Sequence, residues 1–236
     1  MSSTPTSALA GIYPVREDSR LLARFARPRR GDRVLEVGCG RGLAALTAAR
    51  RGASEVVATD LNPAALLVVA RRARDEGLPL EAVRTDLAAG LRRFDLVLAN
   101  PPYLPTNPRE KDPDLWQSLA LDGGPDGCRV TRRLLRELPD HLAADGRAYV
   151  LVSSRQSRRK LFQMREAWRR GGGACHIVAH ERWGNETLSI WRLTRGTPRT
   201  GRSTRGTGDR RRALPRSHSG SNPGAGSGRT NARDAA

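Results

Sequence analysis

The chain has 236 residues, long enough for one well-buried α/β domain, and carries 42 Lys and Arg against 24 Asp and Glu, a formal charge of +18. Its three cysteines, Cys39, Cys128 and Cys175, are odd in number and share no C-x-x-C spacing, and its four histidines are scattered; a disulfide framework and a metal site are both excluded as expectations. No N-terminal apolar stretch of signal-peptide type and no long apolar span occur, so a cytosolic protein without a membrane anchor is expected.

Arg33-Val-Leu-Glu36-Val37 reads as a strand, Gly38-Cys39-Gly40-Arg41-Gly42 as a tight turn, and Leu43 to Arg51 as a helix stopped by Gly52. Glycines let backbone pass close under a ligand, and the helix beyond them presents free N–H groups and a positive dipole end. Asp60 lies 22 residues after Gly38, within dinucleotide spacing, but the glycines run G-x-G-x-G and Glu36 would repel a pyrophosphate. A ligand with an amino group and little negative charge fits better.

A second unit follows the same plan. Glu55 to Thr59 is a short strand ending on Asp60, and Asn62-Pro63 opens a helix from Ala64 to Glu76, with Asn as N-cap and Pro at the first helical position. Asp60, at a strand end, suits the hydroxyls of a ribose. A third strand, Leu80 to Thr85, ends on Asp86-Leu87, an acid for an exocyclic amine beside an apolar residue for a purine face.

The fourth strand, Phe94 to Ala99, stops in Asn100-Pro101-Pro102-Tyr103. Two successive prolines cannot donate ladder hydrogen bonds and fix their own φ, so the chain leaves the sheet and holds Asn100 and Tyr103 in a rigid turn at a strand's carboxyl end. Ligands of open α/β sheets bind at that edge. Beyond it lie a Pro- and Asp-rich stretch, 104 to 122, expected to shape substrate access, a helix Gly127 to Pro139, a strand Arg147 to Ser153 and a helix Gln156 to Arg170. Two strands, Cys175 to Ala179 and Thr187 to Leu193, close as a hairpin near Gly184. From Gly196 the composition turns to Gly, Ser, Thr, Pro and Arg. Two units are expected: a catalytic domain, 1–195, and a disordered basic tail, 196–236, whose nine Arg and two Asp hold +7 of the +18.

Taken together these motifs resemble class I S-adenosylmethionine-dependent methyltransferases, and Asn100-Pro101-Pro102-Tyr103 narrows the likeness to enzymes that methylate a planar amino or amide nitrogen. Gly123-Gly124-Pro125-Asp126-Gly127 with its following helix, Tyr13 with Glu17-Asp18-Ser19-Arg20-Leu21-Leu22, and Gly184-Asn185-Glu186-Thr187-Leu188-Ser189 are similar to the HemK-type glutamine methyltransferases, in the short single-domain branch that modifies release factors. Two positions depart from that branch: Ser19 replaces its usual Thr, keeping the hydroxyl, and Pro14 stands earlier than its usual Pro. The resemblance implies a Rossmann-like α/β fold with a seven-stranded, mostly parallel sheet, a terminal antiparallel strand and helices on both faces. It implies that Ser19, Glu36, Gly38, Gly40, Asp60, Asp86, Leu87 and Asn100 contact S-adenosylmethionine.

Asn100 and Pro101 would orient the substrate nitrogen and Tyr103 would stack on it. A glutamine amide is a poor nucleophile because its lone pair is delocalised, and two fixed acceptors can take the two N–H bonds of its NH₂ group and aim it. The expected substrate is therefore a glutamine side chain of a release factor or related protein, with a small activator subunit as a partner of the branch. Alternatives are an adenine N6 or guanine N2 amino-methyltransferase, which the positive charge favours, and a cofactor-binding scaffold without activity. The basic tail is a candidate for weak RNA or ribosome contact.

Overall fold

In the computed structural model the described residues are 11–107 and 114–196. The strands are β1 (Arg33–Val37), β2 (Glu55–Asp60), β3 (Leu80–Arg84), β4 (Phe94–Ala99), β5 (Leu142–Ser153), β6 (Ala174–Trp183) and β7 (Glu186–Thr194). The helices are α1 (Glu17–Ala23), α2 (Leu43–Arg50), α3 (Pro63–Asp75), α4 (Leu115–Leu121), α5 (Arg129–His141) and α6 (Arg158–Arg170). All seven strands form one sheet in the order β3-β2-β1-β4-β5-β7-β6. β1 to β5 run parallel, and β7 is antiparallel to both neighbours. This is the Rossmann-like class I methyltransferase architecture expected from the sequence. The expected tail, 196–236, falls almost wholly outside the described residues, as does 108–113 of the Pro- and Asp-rich stretch.

Apolar side chains cover both sheet faces because helices lie on each, so the central strands read as continuous apolar runs. Val34, Val56, Leu96 and Leu98 pack with Leu21 and Leu22 of α1, Ala44, Ala45 and Ala48 of α2, and Leu66 and Val69 of α3. The alternate residues Leu35, Val57, Val97 and Val150 pack with Leu134, Leu135 and Leu138 of α5 and Trp168 of α6. Strand order reverses about β1: it runs outward to β2 and β3, then returns to place β4 on the other side. Val37 pairs with Ala99 there, so Gly38 and Asn100 leave the sheet side by side at the switch point where α/β sheets bind ligands.

Three boundaries differ from those read in the sequence, and two helices were not read. The helix expected to end at Pro139 continues to His141 with Pro139 inside it, because a proline in the last turn forgoes one hydrogen bond while its fixed φ suits a helix. The strand expected from Arg147 begins at Leu142: Leu142 pairs with Phe94, the register then shifts to Arg147 opposite Leu96, and 143–146 form an irregular excursion. β6 runs on to Trp183 because β7 offers partners that far, and Gly184, at φ +58°, opens a two-residue turn between Trp183 and Glu186. Helices α1 and α4 had no reading as helices; each has seven residues, too short for a clear apolar period.

Candidate active site

A cleft of about 710 Å³ opens at the carboxyl ends of β1, β2 and β4. Ser19, Glu36, Gly38, Gly40, Asp60, Asp86, Leu87, Asn100, Pro101 and Tyr103, singled out from the sequence, all line it. Among the described residues no group of three His, Cys, Asp or Glu is placed to hold a metal ion, and no helix is long and apolar enough to cross a membrane.

The glycine turn is built for close approach. Gly38, Gly40 and Gly42 have φ values of +67°, +50° and +69°, which side-chain-bearing residues rarely adopt. A Cβ on Gly42 would stand 2.6 Å from Val69 Cγ2, so this glycine also lets α2 and α3 pack. The Gly40 N–H donates to Asp60 Oδ2 at 2.8 Å, and Asn62 N–H donates to Asp60 Oδ1 at 2.9 Å. Asp60 therefore shapes the turn as well as facing the cleft, and each oxygen keeps acceptor capacity for a hydroxyl. Asn62 caps α3 by accepting from Ala64 N–H, while its Nδ2 donates to the Gly11 carbonyl and ties the N-terminal segment over the turn.

Glu36 is buried at the cleft wall, where its Oε2 accepts the Ala45 N–H at 2.7 Å. Burial outweighs that bond and pushes its carboxyl up to about 8. Burial likewise raises the Cys39 thiol, with Glu36 and Asp60 adding to it; Cys39 packs in the core behind the turn. Leu87 has φ +52°, the one positive φ outside glycine among the described residues, and its carbonyl accepts the Thr59 hydroxyl at 2.8 Å. Strain of this kind gathers at ligand sites. Asp86, expected as a free acceptor, has its Oδ2 engaged by Arg133 Nη2 of α5 at 2.9 Å.

At the end of β4, Asn100 Oδ1 is buried and has no hydrogen-bond partner among the described residues. Unsatisfied buried acceptors are rare and costly, and this one belongs to a residue that lines the cleft. The turn around it is braced from behind. Leu104 N–H donates to the Leu121 carbonyl and Gly123 N–H to the Leu104 carbonyl, so the two segments run together. A Cβ on Gly127, at φ +70°, would stand 2.4 Å from the Tyr103 carbonyl oxygen. Gln156, buried, donates to the Gly127 carbonyl at 2.8 Å and accepts from Ser153 N–H at 3.0 Å.

With that geometry in place, the methyltransferase small domain family matches residues 13–122. A candidate protein N5-glutamine methyltransferase of Methanocaldococcus jannaschii is 36% identical over 144 residues, which cover 61% of this chain and 73% of that protein. The chain belongs to the HemK-type class I methyltransferase family. A release factor glutamine methyltransferase of Deinococcus radiodurans is 38% identical over 151 residues, 62% of this chain and 53% of that one. The chain spans about half the length of the bacterial glutamine methyltransferases it matches. The solved Mtq2-Trm112 complex of E. cuniculi, described as responsible for methylation of the eRF1 termination factor, superimposes with a TM-score of 0.61 at 24% identity, covering 79% of this chain and 99% of that one. That likeness bears on the fold.

Sequence reading of this HemK-type chain missed one residue. Asp18 is 2% exposed, and its Oδ2 accepts the hydroxyls of Tyr13 at 2.7 Å and Tyr103 at 3.3 Å, while Oδ1 accepts the N–H and hydroxyl of Ser19. Burial, with the Asp18 charge, raises both tyrosines, so they remain donors. A carboxylate beside a serine at a helix start carries no local signal that distinguishes it from an ordinary first-turn acid.

Proposed function

We propose that this chain is an S-adenosylmethionine-dependent N-methyltransferase acting on a glutamine side-chain amide, in a translation release factor or related protein. The observation that carries this reading is the buried, unpartnered Asn100 Oδ1 beside the Pro101 carbonyl at the mouth of the glycine turn. Two acceptors with no competing donor suit an NH₂ group, which brings two N–H bonds and a planar frame. Pro101 has no N–H, so the turn offers the amide no repulsive contact.

The cleft also suits S-adenosylmethionine. Its polar wall carries the carboxylates of Asp60 and Asp86 and the carboxyl of Glu36, which a ligand cation would draw into its charged form, a set that favours a ligand bearing a sulfonium and an ammonium over a pyrophosphate. Glu36 and Gly38 would lie against the methionine portion, Asp60 against the ribose, and Asp86 and Leu87 against the adenine, with Ser19 closing from α1. When bound, the cofactor supplies an electrophilic methyl group on sulfur. The chain's own part is orientation: Asn100 and Pro101 aim the amide nitrogen, and Tyr103 lays a flat face along the amide plane. Pre-paid orientation of reactants is worth up to roughly 7–11 kcal/mol. A small activator subunit, of the sort present in the Mtq2-Trm112 complex, fits this reading as a partner.

Amino-methylation of a nucleic acid base is the second reading, since an adenine or guanine amino group presents the same two donors and the chain carries a formal charge of +18. Labelled methyl transfer from S-adenosylmethionine to a cell extract separates the two. Label that survives nuclease and is lost to protease, and that maps to a glutamine, is the expected result. Label lost only to nuclease moves the assignment to nucleic acid.

A further inference from the structure

The helices on the two sides of the sheet carry unequal charge. Helices α1, α2 and α3 on one side carry five basic and three acidic residues, a net +2. Helices α5 and α6 on the other carry ten Lys and Arg and three acids, a net +7. Compositional bias toward arginine accounts for Arg in place of Lys, but not for this asymmetry.

The charges on α5 are ordered. Leu134, Leu135 and Leu138 face the core, and Arg129, Arg132, Arg133 and Arg136 recur at i, i+3, i+4 and i+7 on the outer side. Like charges at such spacings repel. Arg129, Arg132 and Arg133 find relief in Asp122, Asp126 and Asp86. Arg136 is exposed and has no ion-pair partner among the described residues, and on α6 the same holds for Arg158, Arg159 and Arg170. Arg129 and Arg133 also line the cleft, so the basic surface begins at its mouth.

An aromatic ring stands among these cations. Phe162, one of three Phe in the chain, is 62% exposed on α6, one turn from Arg158 and Arg159 and one from Arg165. A core position is ruled out by its exposure: Trp168, on the other side of the same helix, is buried against the sheet. An exposed ring interleaved with cations is the arrangement that stacks an unpaired base while the cations track its phosphates.

We propose that the α5–α6 face binds single-stranded or looped RNA, with phosphates on Arg136, Arg158 and Arg159 and one base stacked on Phe162. The surface lies outside the cleft, and the proposal holds whichever amide or amine the cleft methylates. Binding of a fluorescent single-stranded RNA of roughly 16 nucleotides is measured by anisotropy with the full chain. Phe162→Ala should weaken binding about tenfold. The triple variant R136Q/R158Q/R159Q should lower the slope of log affinity against log salt by about 2, at roughly 0.7 per phosphate contact for single strands. Both variants should keep the wild-type melting temperature and methyl transfer, because these side chains are solvent-facing and outside the cleft. RNA affinity unchanged in either variant overturns the proposal, since charge and stacking must act at one place. So does displacement of the RNA by an equal charge concentration of polyglutamate, which would make the face a docking surface for an acidic protein.

Discussion

Asp18 of α1 accepts the hydroxyl of Tyr103 at 3.3 Å across 85 residues of chain, and the same oxygen accepts Tyr13 at 2.7 Å. The buried carboxylate thus joins the N-terminal segment to the Asn-Pro-Pro-Tyr turn. Removing the hydroxyl in Tyr103→Phe and the charge in Asp18→Asn should each lower kcat by about tenfold, on the order of 1.4 kcal/mol, with a smaller change in S-adenosylmethionine Kd. Because both act through one contact, the double variant should lose far less than the sum. Additive losses in the cycle would show that Asp18 does not act through Tyr103.

Asn100 and Asp60 should separate turnover from cofactor binding. Asn100→Ala removes the amide acceptor and is expected to lower kcat by at least about a hundredfold, roughly 2.7 kcal/mol, while S-adenosylmethionine Kd rises far less. Asp60→Ala should weaken S-adenosylmethionine binding strongly, since it deletes a cleft acceptor and frees the Gly40 and Asn62 N–H groups that shape the turn. Titration calorimetry and steady-state rates on both variants test the division. Normal methylation by both would refute the site assignment.

Glu36 makes stability depend on pH in a stated direction. Its carboxyl is pushed from the ordinary 4.5 up to about 8 by burial, so the folded state holds a proton that the unfolded chain has released between those values. The group's contribution to stability is full below about pH 4.5, declines as pH rises toward about 8, and is level above. Glu36→Gln cannot ionise and still offers an oxygen to Ala45 N–H. Its melting temperature relative to wild type should rise between roughly pH 5 and 8.5, and a constant difference would place the carboxylate in a solvated setting.

Gly127 couples the segment after α4 to the Asn-Pro-Pro-Tyr turn through contact as well as conformation. An alanine there meets the Tyr103 carbonyl at 2.4 Å and must hold φ +70°. Gly52, at φ +85°, has nothing within 4 Å of a built Cβ. Gly52→Ala should cost about 1 kcal/mol, from backbone strain alone, and leave kcat unchanged; Gly127→Ala should cost about 2–4 kcal/mol and reduce kcat by moving Tyr103. Denaturant midpoints with parallel rate measurements compare them, and equal stability losses would mean that the neighbouring backbone yields to the added methyl.

Local chemistry made much of this protein legible. The glycine turn, the Asn62-Pro63 helix start and the Asn-Pro-Pro-Tyr stop are written in residues whose backbone limits act within a few positions, so their places in the fold followed from the sequence. The apolar runs of β1, β2 and β4 likewise declared strands covered on both sides. Shorter or context-held elements did not: α1 and α4 are too brief to show a period, and β6 owes its length to β7.

Relations between distant residues were decided by the tertiary structure alone. The sheet order sets Gly38 beside Asn100, and only that placement leaves the Asn100 Oδ1 buried without a partner. Packing of α1 over the cleft turns Asp18 into an acceptor for two tyrosines, and α5 brings Arg133 to Asp86. Folding the two arginine-rich helices onto one face turns a dispersed excess of charge into a surface. Sequence carries the residue types and the backbone limits that act nearby. Hydrogen bonds between residues 47 or 85 positions apart depend on how the layers pack, and no local pattern encodes them.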